Sequence, residues 1–382
     1  MTIVRRNRID RFLQLMVERG ASDLHFSVSR PPMFRLNGEI DPLRYRLITN
    51  EDYVSMMQPI VPQESYWQRF LASGDLDFAY EVPGLARFRV NLFMQEHGFG
   101  AVFRTIPTTI LTMEQLALPS VLNRIVEMRS GLVLVTGPTG SGKSTSLAAI
   151  IDRMNSTKAM HIVTIEDPVE FVHQHKKSVI SQREIGQHAH NFADALRAAV
   201  REDPDLVLVG EMRDLETIAL ALNAASSGLL VFGTLHTNSA AKTVDRIINV
   251  FPTDEQEAVR SVLAECLQCV VAQQLLKRVG GGRCAAVEVM FTSPALPNLI
   301  REGKSHQLGG YIAAGKRLGM ISMDQALYAH VEAGRITVEA AIEKALDKMD
   351  FRKRMATVKG PDDARLAQKQ RGGKPPAPAR RT

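Results

Sequence analysis

Apolar positions in the first forty residues predict an amphipathic helix followed by two short strands. The helical spacing i, i+3, i+4, i+7 is carried by Ile9, Phe12, Leu13 and Met16. Gly20 ends this pattern, as is typical of a helix C-terminus. Two short apolar runs follow between Asp23 and Ile40, with a turn signal at Asn37-Gly38. We therefore expect the helix to precede the first strands of a sheet.

Alternating apolar and polar residues predict further strands before residue 107. They fall at residues 75–81, 87–92 and 101–106. A turn flanked by residues 94 and 101 would bring Arg104 close to Arg89 and Asn91 across the hairpin. The first 106 residues therefore predict a small α+β domain with an antiparallel sheet.

The pattern changes after a predicted linker at residues 107–119. Near-continuous apolar runs alternate with helical segments, at residues 132–136, 161–165, 205–209 and 229–234. Such runs are typical of a parallel sheet covered on both faces, so residues 120–355 predict an α/β domain. A long helix is predicted at residues 254–276, with more helix to about residue 350.

Composition narrows the class of protein. With 45% apolar and 23% charged residues, the chain is neither fibrous nor mostly disordered. It has no apolar run near the ~20 residues of a membrane-spanning helix, and its start does not resemble a secretory signal. Three cysteines argue against a disulfide framework and for a reducing compartment.

The positive charge is concentrated at the C-terminus. Residues 351–382 hold ten Lys and Arg against two Asp, which gives this segment a net charge of +8. The net charge of the whole chain is +6. The remaining chain is therefore slightly acidic, at −2, which argues against a body built to grip nucleic acid. Residues 356–382 are rich in Pro, Gly, Ala, Lys and Arg, and we expect a disordered basic tail there.

The strongest chemical signal is a phosphate-binding loop. The motif G-x-x-x-x-G-K-[ST] is matched by Gly137, Pro138, Thr139, Gly140, Ser141, Gly142, Lys143 and Ser144. It lies between a predicted strand and a predicted helix at 143–154, so backbone N–H groups can surround phosphates at a helix N-terminus. Lys143 can reach the β- and γ-phosphates, and the Ser144 hydroxyl suits Mg²⁺. The motif predicts binding of ATP with Mg²⁺.

Carboxylates follow two of the predicted strands. Glu211 comes after the apolar strand 205–209, where it can orient or deprotonate a water for hydrolysis. Glu166, Asp167 and Glu170 follow the strand 161–165, where they can hold Mg²⁺-bound waters or polarise the nucleophile. The alternative for both groups is a solvated acidic turn.

Other candidate residues are individually weaker. His236 follows the strand 229–234 and can read the γ-phosphate state or contact a neighbouring subunit; a structural histidine is the alternative. The N-terminal sheet carries three candidate arginines, Arg87, Arg89 and Arg104. They can stabilise transition-state charge or be solvated sheet residues. Cys266 and Cys269 are expected to be core residues, and no metal ligand set is assigned.

With these boxes in order, the chain resembles the type II/IV secretion ATPases, and more narrowly the type IV pilus retraction ATPases. The matching stretches include GASDLHF at 20–26, ARFRVNLF at 86–93, TIEDPVEF at 164–171, VLVGEMRD at 207–214 and FGTLHT at 232–237. The resemblance covers about residues 8–350. It implies a PAS-like N-terminal domain, a RecA-like ATPase domain and a ring of six subunits.

The resemblance also implies site residues and partners. The Walker A segment falls on Gly137 to Thr145, and the family's acidic, Walker B, histidine and arginine positions fall on the residues named above. It implies a cytoplasmic homo-hexamer, peripheral at the inner membrane, that acts on a pilus platform protein and can work beside a paralogous retraction ATPase. No nucleic acid is expected as a partner.

Three readings remain open at this point: a pilus motor, a nucleic-acid translocase and a subunit that binds ATP and hardly hydrolyses it. The chain has neither the longer N-terminal extension nor the four-cysteine loop of assembly-type relatives, which favours retraction. Pro297 stands where the family's AIRNLIRE-type helix has an arginine, which leaves an accessory retraction role as an alternative.

Overall fold

The protein is described by a computed structural model that covers residues 7–36, 38–106 and 109–355. Packing divides it into two units. The first holds the described residues up to Ile110 with Thr164–Gln174 and Ile180–Ala195, and the second holds Leu111–Val163, His175–Val179 and the described residues from Leu196. The sequence predicts two domains that are each continuous in the chain, with residues 164–174 and 180–195 in the second. By packing, these two segments belong to the first unit. The predicted tail at 356–382 lies outside the described residues, as do Asn37 and the start of the predicted linker.

The first unit is built on an antiparallel sheet of six strands. Its elements are α1 (Asp10–Glu18), β1 (Asp23–Ser27), β2 (Met33–Leu36), β3 (Glu39–Pro42), α2 (Asn50–Met57), α3 (Glu64–Ser73), β4 (Asp75–Val82), β5 (Ala86–Gln95) and β6 (Gly98–Ile106). The strand order is β3-β2-β1-β6-β5-β4. The predicted helix and antiparallel sheet are confirmed, whereas likeness to a PAS domain stays a prediction.

Alternation in β5 sorts its side chains between the core and the other face of the sheet. Phe88, Val90 and Leu92 are fully buried, in a core shared with Leu13 and Met16 of α1. Burying a side chain of this size stabilises the fold by about 1.5–3 kcal/mol. The arginines of β5 therefore lie on the face away from this core.

The expected hairpin register is wrong by two residues. Met94 pairs with Phe99 and Gln95 pairs with Gly98, so the turn is a two-residue connection. Gly98, the first residue of β6 after the turn, has a positive φ of 110°, which a residue without a Cβ adopts at low cost. Arg104 lies directly opposite Arg89, which confirms the predicted proximity of these two arginines, whereas Asn91 pairs with Val102. Because the slip is an even number, every side chain stays on its predicted face.

Seven strands form the second sheet. The elements in this part of the chain are α4 (Asn123–Val126), β7 (Gly131–Thr136), α5 (Lys143–Thr157), β8 (His161–Glu166), β9 (Val179–Glu184), α6 (Phe192–Ala199), β10 (Leu206–Val209), α7 (Leu215–Ser226), β11 (Leu230–Leu235), α8 (Ala240–Ile248), α9 (Gln256–Cys266), β12 (Leu267–Lys277), β13 (Arg283–Phe291), α10 (Leu296–Arg301), α11 (Leu308–Ala314), α12 (Met323–Glu332), α13 (Val338–Lys344) and α14 (Lys348–Met355). The order is β13-β12-β7-β11-β10-β8-β9.

The central strands are buried on both faces. Every residue of β7, β10 and β11 is buried, and these strands pair in parallel. This confirms the predicted α/β class and the four predicted strands, because continuous apolar runs fit a sheet covered by helices on both sides.

The predicted helix at 254–276 is wrong in its second half. The helix α9 ends at Cys266, and β12 then pairs in parallel with β7. Val270, Val271 and Ala272 are all buried, so this apolar run belongs to a strand covered on both faces. The periodicity of a short, continuous apolar run does not distinguish a buried strand from a buried helix. β13 likewise replaces predicted helix, and Cys266 and Cys269 are buried as expected.

A buried carboxylate on β13 joins the starts of two helices. Glu288 is 2% exposed, and its Oε1 accepts the N–H of Ala240 at 2.7 Å. Its Oε2 accepts the N–H of Met323 at 3.2 Å. These are the first residues of α8 and α12, whose N–H groups have no partner within their helices. One side chain therefore satisfies two buried donors.

We expect Glu288→Ala to lower the free energy of unfolding by about 2–5 kcal/mol, because it leaves two buried N–H groups unpaired. Glu288→Gln keeps one acceptor oxygen, so its loss should be smaller. The measurement is urea unfolding of the full chain followed by far-UV circular dichroism. Glu265→Ala is the control, since Glu265 is 66% exposed in a loose ion pair. A Glu288→Ala curve that overlays the wild-type curve would contradict this account.

Candidate functional site

The phosphate loop lies between β7 and α5, as the motif predicts. Gly137, Gly140 and Gly142 have positive φ values, which a residue without a Cβ adopts at low cost. The side chain of Lys143 turns back over the loop, and its Nζ donates to the carbonyl of Gly137 at 2.7 Å and of Pro138 at 3.2 Å. The loop thus has the shape and the cation that phosphate binding requires.

Two loop glycines are required by the neighbouring strand β12. A Cβ on Gly137 would overlap the main-chain carbonyl of Gln273. A Cβ on Gly142 would lie 2.9 Å from the Nε2 atom of Gln273. The motif glycines therefore serve close packing as well as backbone conformation.

Gln273 is the residue of this site that sequence reasoning missed. Its Nε2 donates to the carbonyl of Ser141 at 2.7 Å, and its Oε1 accepts from the hydroxyl of Ser146 at 2.8 Å. It lies in the segment wrongly predicted as helix, which concealed its neighbourhood. The available signal was a pair of glutamines, Gln273-Gln274, inside an apolar run.

Hydrogen bonds tie the end of β7 to the segment after β11. Thr136 and Leu235 are paired at the ends of these strands. The hydroxyl of Thr243 on α8 bonds to that of Thr136 at 3.4 Å and to that of Thr237 at 2.6 Å. The histidine segment is therefore fixed relative to the strand that leads into the phosphate loop.

The structure brings Glu211 and His236 together. The Nε2 atom of His236 lies 2.8 Å from Oε1 of Glu211, and Arg213 donates to the same oxygen. The main chain holds this turn, since Met212 N–H donates to the carbonyl of Thr234 at 3.0 Å. Gly233 leaves room for the Met212 side chain, which a Cβ there would overlap.

The environment of Glu211 favours its ionised form. Partial burial raises its pKa, but the hydrogen bond and charge of Arg213, with the His236 contact, outweigh burial and hold the pKa below its usual range. Glu211 is therefore a carboxylate at neutral pH, able to accept a hydrogen bond from a water.

The acidic box lies in the first unit, where its members differ in burial. Glu166 ends β8, and its Oε1 accepts from the hydroxyl of Thr164 at 2.7 Å and from Nε2 of Gln182 at 3.2 Å. Burial nevertheless raises the pKa of Glu166 to about 7. Asp167 is exposed, whereas Glu166 and Glu170 are both half-buried. With a pKa of about 7, Glu166 can exchange a proton near neutral pH.

Each candidate arginine is paired with a carboxylate of the first unit. Arg87 lies 3.1 Å from buried Glu184. Arg89 lies 3.7 Å from Asp77, and both side chains are half-exposed.

Arg104 makes the third of these pairs and is the most accessible of the three arginines. Its Nε donates to Asp23 at 2.8 Å while 68% of the side chain is exposed. The bonds from Ser22 and Arg104 hold the pKa of Asp23 below its usual range although burial raises it. Arg104 and Arg89 are the two arginines of this set with substantial access to solvent.

No cluster of three or more His, Cys, Asp and Glu ligands is present among the residues for which the structure gives positions. A nucleotide-bound Mg²⁺ does not need one, since it takes one or two protein oxygens besides phosphate and water. Ser144, in the first turn of α5, offers a hydroxyl oxygen of the right chemistry. The donor set therefore fits a cation that arrives with nucleotide.

Comparison with known proteins gives concordant matches. The family described as type II/IV secretion system protein matches residues 3–307. The type IV pilus retraction ATPase PilT of Pseudomonas aeruginosa is 52% identical over 88% of this chain and 98% of that protein. A twitching motility protein of Neisseria gonorrhoeae is 51% identical over 82% of this chain and 84% of that protein.

A solved structure extends the likeness to the fold. The crystal structure of the pilus retraction motor PilT with bound ADP matches with a TM-score of 0.83 and 44% identity. It covers 91% of this chain and 99% of that one.

Within residues 7–36, 38–106 and 109–355, no helix has the length and apolar character to cross a bilayer.

The raised pKa of Glu166 makes a pH-dependent stability prediction. The folded chain retains this proton up to about pH 7, whereas an unfolded glutamate loses it near the ordinary glutamate pKa of 4.5. The folded state therefore loses stability as pH rises from about 4.5 through 7. Glu166→Gln removes the titration, so its stability relative to wild type should increase by about 2–3 kcal/mol between pH 5 and pH 8. Urea unfolding at both pH values measures this, and parallel pH profiles would contradict it.

Proposed function

This chain belongs to the type II/IV secretion system protein family and, within it, to the pilus retraction ATPases of the PilT type, and we propose that it hydrolyses ATP with Mg²⁺ in a ring of six subunits to retract type IV pili. The observation that carries the proposal is the pairing of a complete phosphate loop with the Glu211–His236 contact in one unit. The near-complete coverage of the PilT relative supports the motor function over a shared nucleotide-binding core alone.

Binding of ATP is assigned to the Walker A residues Gly137 to Thr145. The loop N–H groups and the N-terminus of α5 stabilise phosphate charge, and Lys143 adds a full positive charge. Ser144 would hold Mg²⁺, which supplies charge neutralisation on the phosphates when bound.

We assign to Glu211 the positioning of the water that attacks the nucleotide. Because its pKa is below the usual range, Glu211 is less suited to remove a proton from the water. It is suited to accept a hydrogen bond that orients the water. His236 contacts the same carboxylate oxygen and thereby fixes its rotamer. Glu166, whose pKa is near the working pH, is the second candidate for proton acceptance, with Asp167 and Glu170 beside it in sequence.

The biological setting follows from the family. We place the ring at the cytoplasmic face of the inner membrane, bound to the pilus platform protein and able to work with a paralogous retraction ATPase. The second candidate function is that of an accessory retraction ATPase. It is favoured by Pro297, the second residue of α10, which stands where the family resemblance implies an arginine.

The ATPase assignment predicts that Lys143→Ala abolishes hydrolysis, since the ammonium group of Lys143 supplies the positive charge within the loop. Glu211→Gln keeps the shape and removes the charge, so kcat should fall about 10²–10⁴-fold while ATP still binds. Phosphate release by the purified chain, with and without single-stranded DNA, is the measurement. Glu216→Gln is the control, because Glu216 is 58% exposed. Wild-type turnover in Lys143→Ala would refute the assignment, and DNA-stimulated turnover would favour a translocase.

The same variants test the cellular role. In cells that lack their retraction ATPase, the wild-type chain should restore twitching and Lys143→Ala should not. Restoration only when a second retraction ATPase is present would identify the accessory role instead. The mass of the assembly in sedimentation tests for six chains of 42.3 kDa each.

We also propose that Arg89 and Arg104, with Arg87, stabilise charge on a nucleotide held by a neighbouring subunit. A guanidinium fixed near the γ-phosphoryl oxygens acts most strongly in the transition state, so the loss should fall on kcat more than on ATP affinity. Rings mixed from an Arg89→Ala/Arg104→Ala chain and a Lys143→Ala chain should then regain activity, because some interfaces pair an intact loop with intact arginines. A stable hexamer that regains none would refute the shared site, and Arg69→Ala serves as a surface control.

A further inference from the structure

Gln273 contacts the phosphate loop from outside the Walker A motif. It lies on β12, is 2% exposed, and is separated from the loop by about 130 positions in sequence. Its amide makes two hydrogen bonds of good length, one to the carbonyl of Ser141 and one to the hydroxyl of Ser146. These two residues lie on either side of Gly142, the N-cap residue of α5. One side chain therefore holds both the last part of the loop and the first turn of the helix.

Steric packing and hydrogen bonding at Gln273 act on the same loop. Its main-chain carbonyl oxygen would overlap a Cβ on Gly137, and its Nε2 lies 2.9 Å from the Cβ position of Gly142. The loop consequently rests against Gln273 at its start and at its end. A buried amide with both groups satisfied is costly to replace, because an apolar side chain would leave the Ser141 carbonyl unpaired.

We propose that Gln273 is a positioning residue that preorganises the phosphate loop for nucleotide. The inference rests on the proposed function, in which this loop binds ATP and ADP. A loop already held in its binding conformation loses less conformational freedom when the ligand arrives, and the affinity is higher by that difference. The amide of Gln273 bonds to the carbonyl of Ser141 and the hydroxyl of Ser146, so Gln273 acts through the backbone of Ser141 and the start of α5.

The neighbouring glutamine provides a matched control. Gln274 is also buried, at 6% exposure, but successive side chains of a strand point to opposite faces. Its Nε2 reaches the carbonyl of Lys344 on α13 at 3.4 Å. Replacing either glutamine by methionine keeps the volume and removes the amide, so the two variants differ in which face of β12 they alter.

The experiment is isothermal titration of the full chain with ADP and Mg²⁺, together with the melting temperature of each variant without nucleotide. The wild-type chain is titrated before the variants. If it does not bind ADP, the proposed ATPase function is refuted, and the role of Gln273 fails with it. We expect Gln273→Met to weaken ADP binding about 10- to 100-fold and Gln274→Met to change it less than about twofold. A purely structural role would lower both melting temperatures and leave the affinity of the folded protein unchanged.

Two further variants separate the hydrogen bonds and remain informative if Gln273→Met does not fold. Gln273→Glu keeps the acceptor for Ser146 and removes the donor to Ser141, and we expect at least a tenfold loss of ADP affinity. Ser146→Ala keeps the bond to Ser141, and its affinity should stay within about threefold of wild type. Wild-type ADP affinity in folded Gln273→Met or Gln273→Glu would overturn the proposal.

Discussion

Parallel pairing of β7 with β11 and β12 is the constraint on which the second unit depends. The carboxyl ends of parallel strands meet at one edge of a sheet, so residues distant in sequence converge there. The phosphate loop follows β7, the histidine segment follows β11, and Gln273 lies on β12 beside the loop. Local sequence alone does not place the side chains of this edge, since strand register determines which of them meet.

Two buried polar side chains of this unit, Gln273 and Glu288, each satisfy two hydrogen-bond partners. Gln273 serves the loop and the first turn of α5, whereas Glu288 serves the first N–H groups of α8 and α12. A single buried side chain that satisfies two backbone segments fixes their relative position, because moving either segment would leave a polar atom unpaired. Such bridges give the edge of the sheet the rigidity that a nucleotide site requires.

Elements could be predicted from the sequence where chemistry and periodicity agree. The loop at 137–144 has a fixed backbone requirement, so its strand–loop–helix context was correct. β12 was missed because its apolar run is buried on both faces and has no alternation to distinguish a strand from a buried helix. The hairpin register was wrong because Gly98 and Gly100, which indicate a turn in the sequence, lie in β6, and the connection is formed by Glu96 and His97 instead. Gln273 was missed as a consequence of the first of these errors.

Glu211 and Glu166 have pKa values shifted in opposite directions, and this difference favours different proposed catalytic roles for the two carboxylates. Arg213 and His236 contact Glu211 and favour its charge, so it remains ionised and, in the proposed role, accepts a hydrogen bond from water throughout the cycle. The carboxyl oxygen of Glu166 accepts from the neutral donors Thr164 and Gln182, so burial prevails and its pKa rises to about 7. A group that is always charged can hold a water in place, whereas a group that titrates near neutral pH can take up and release a proton in each turnover. The sequence places three carboxylates after β8 without distinguishing them, and the neighbours supplied by the fold single out Glu166.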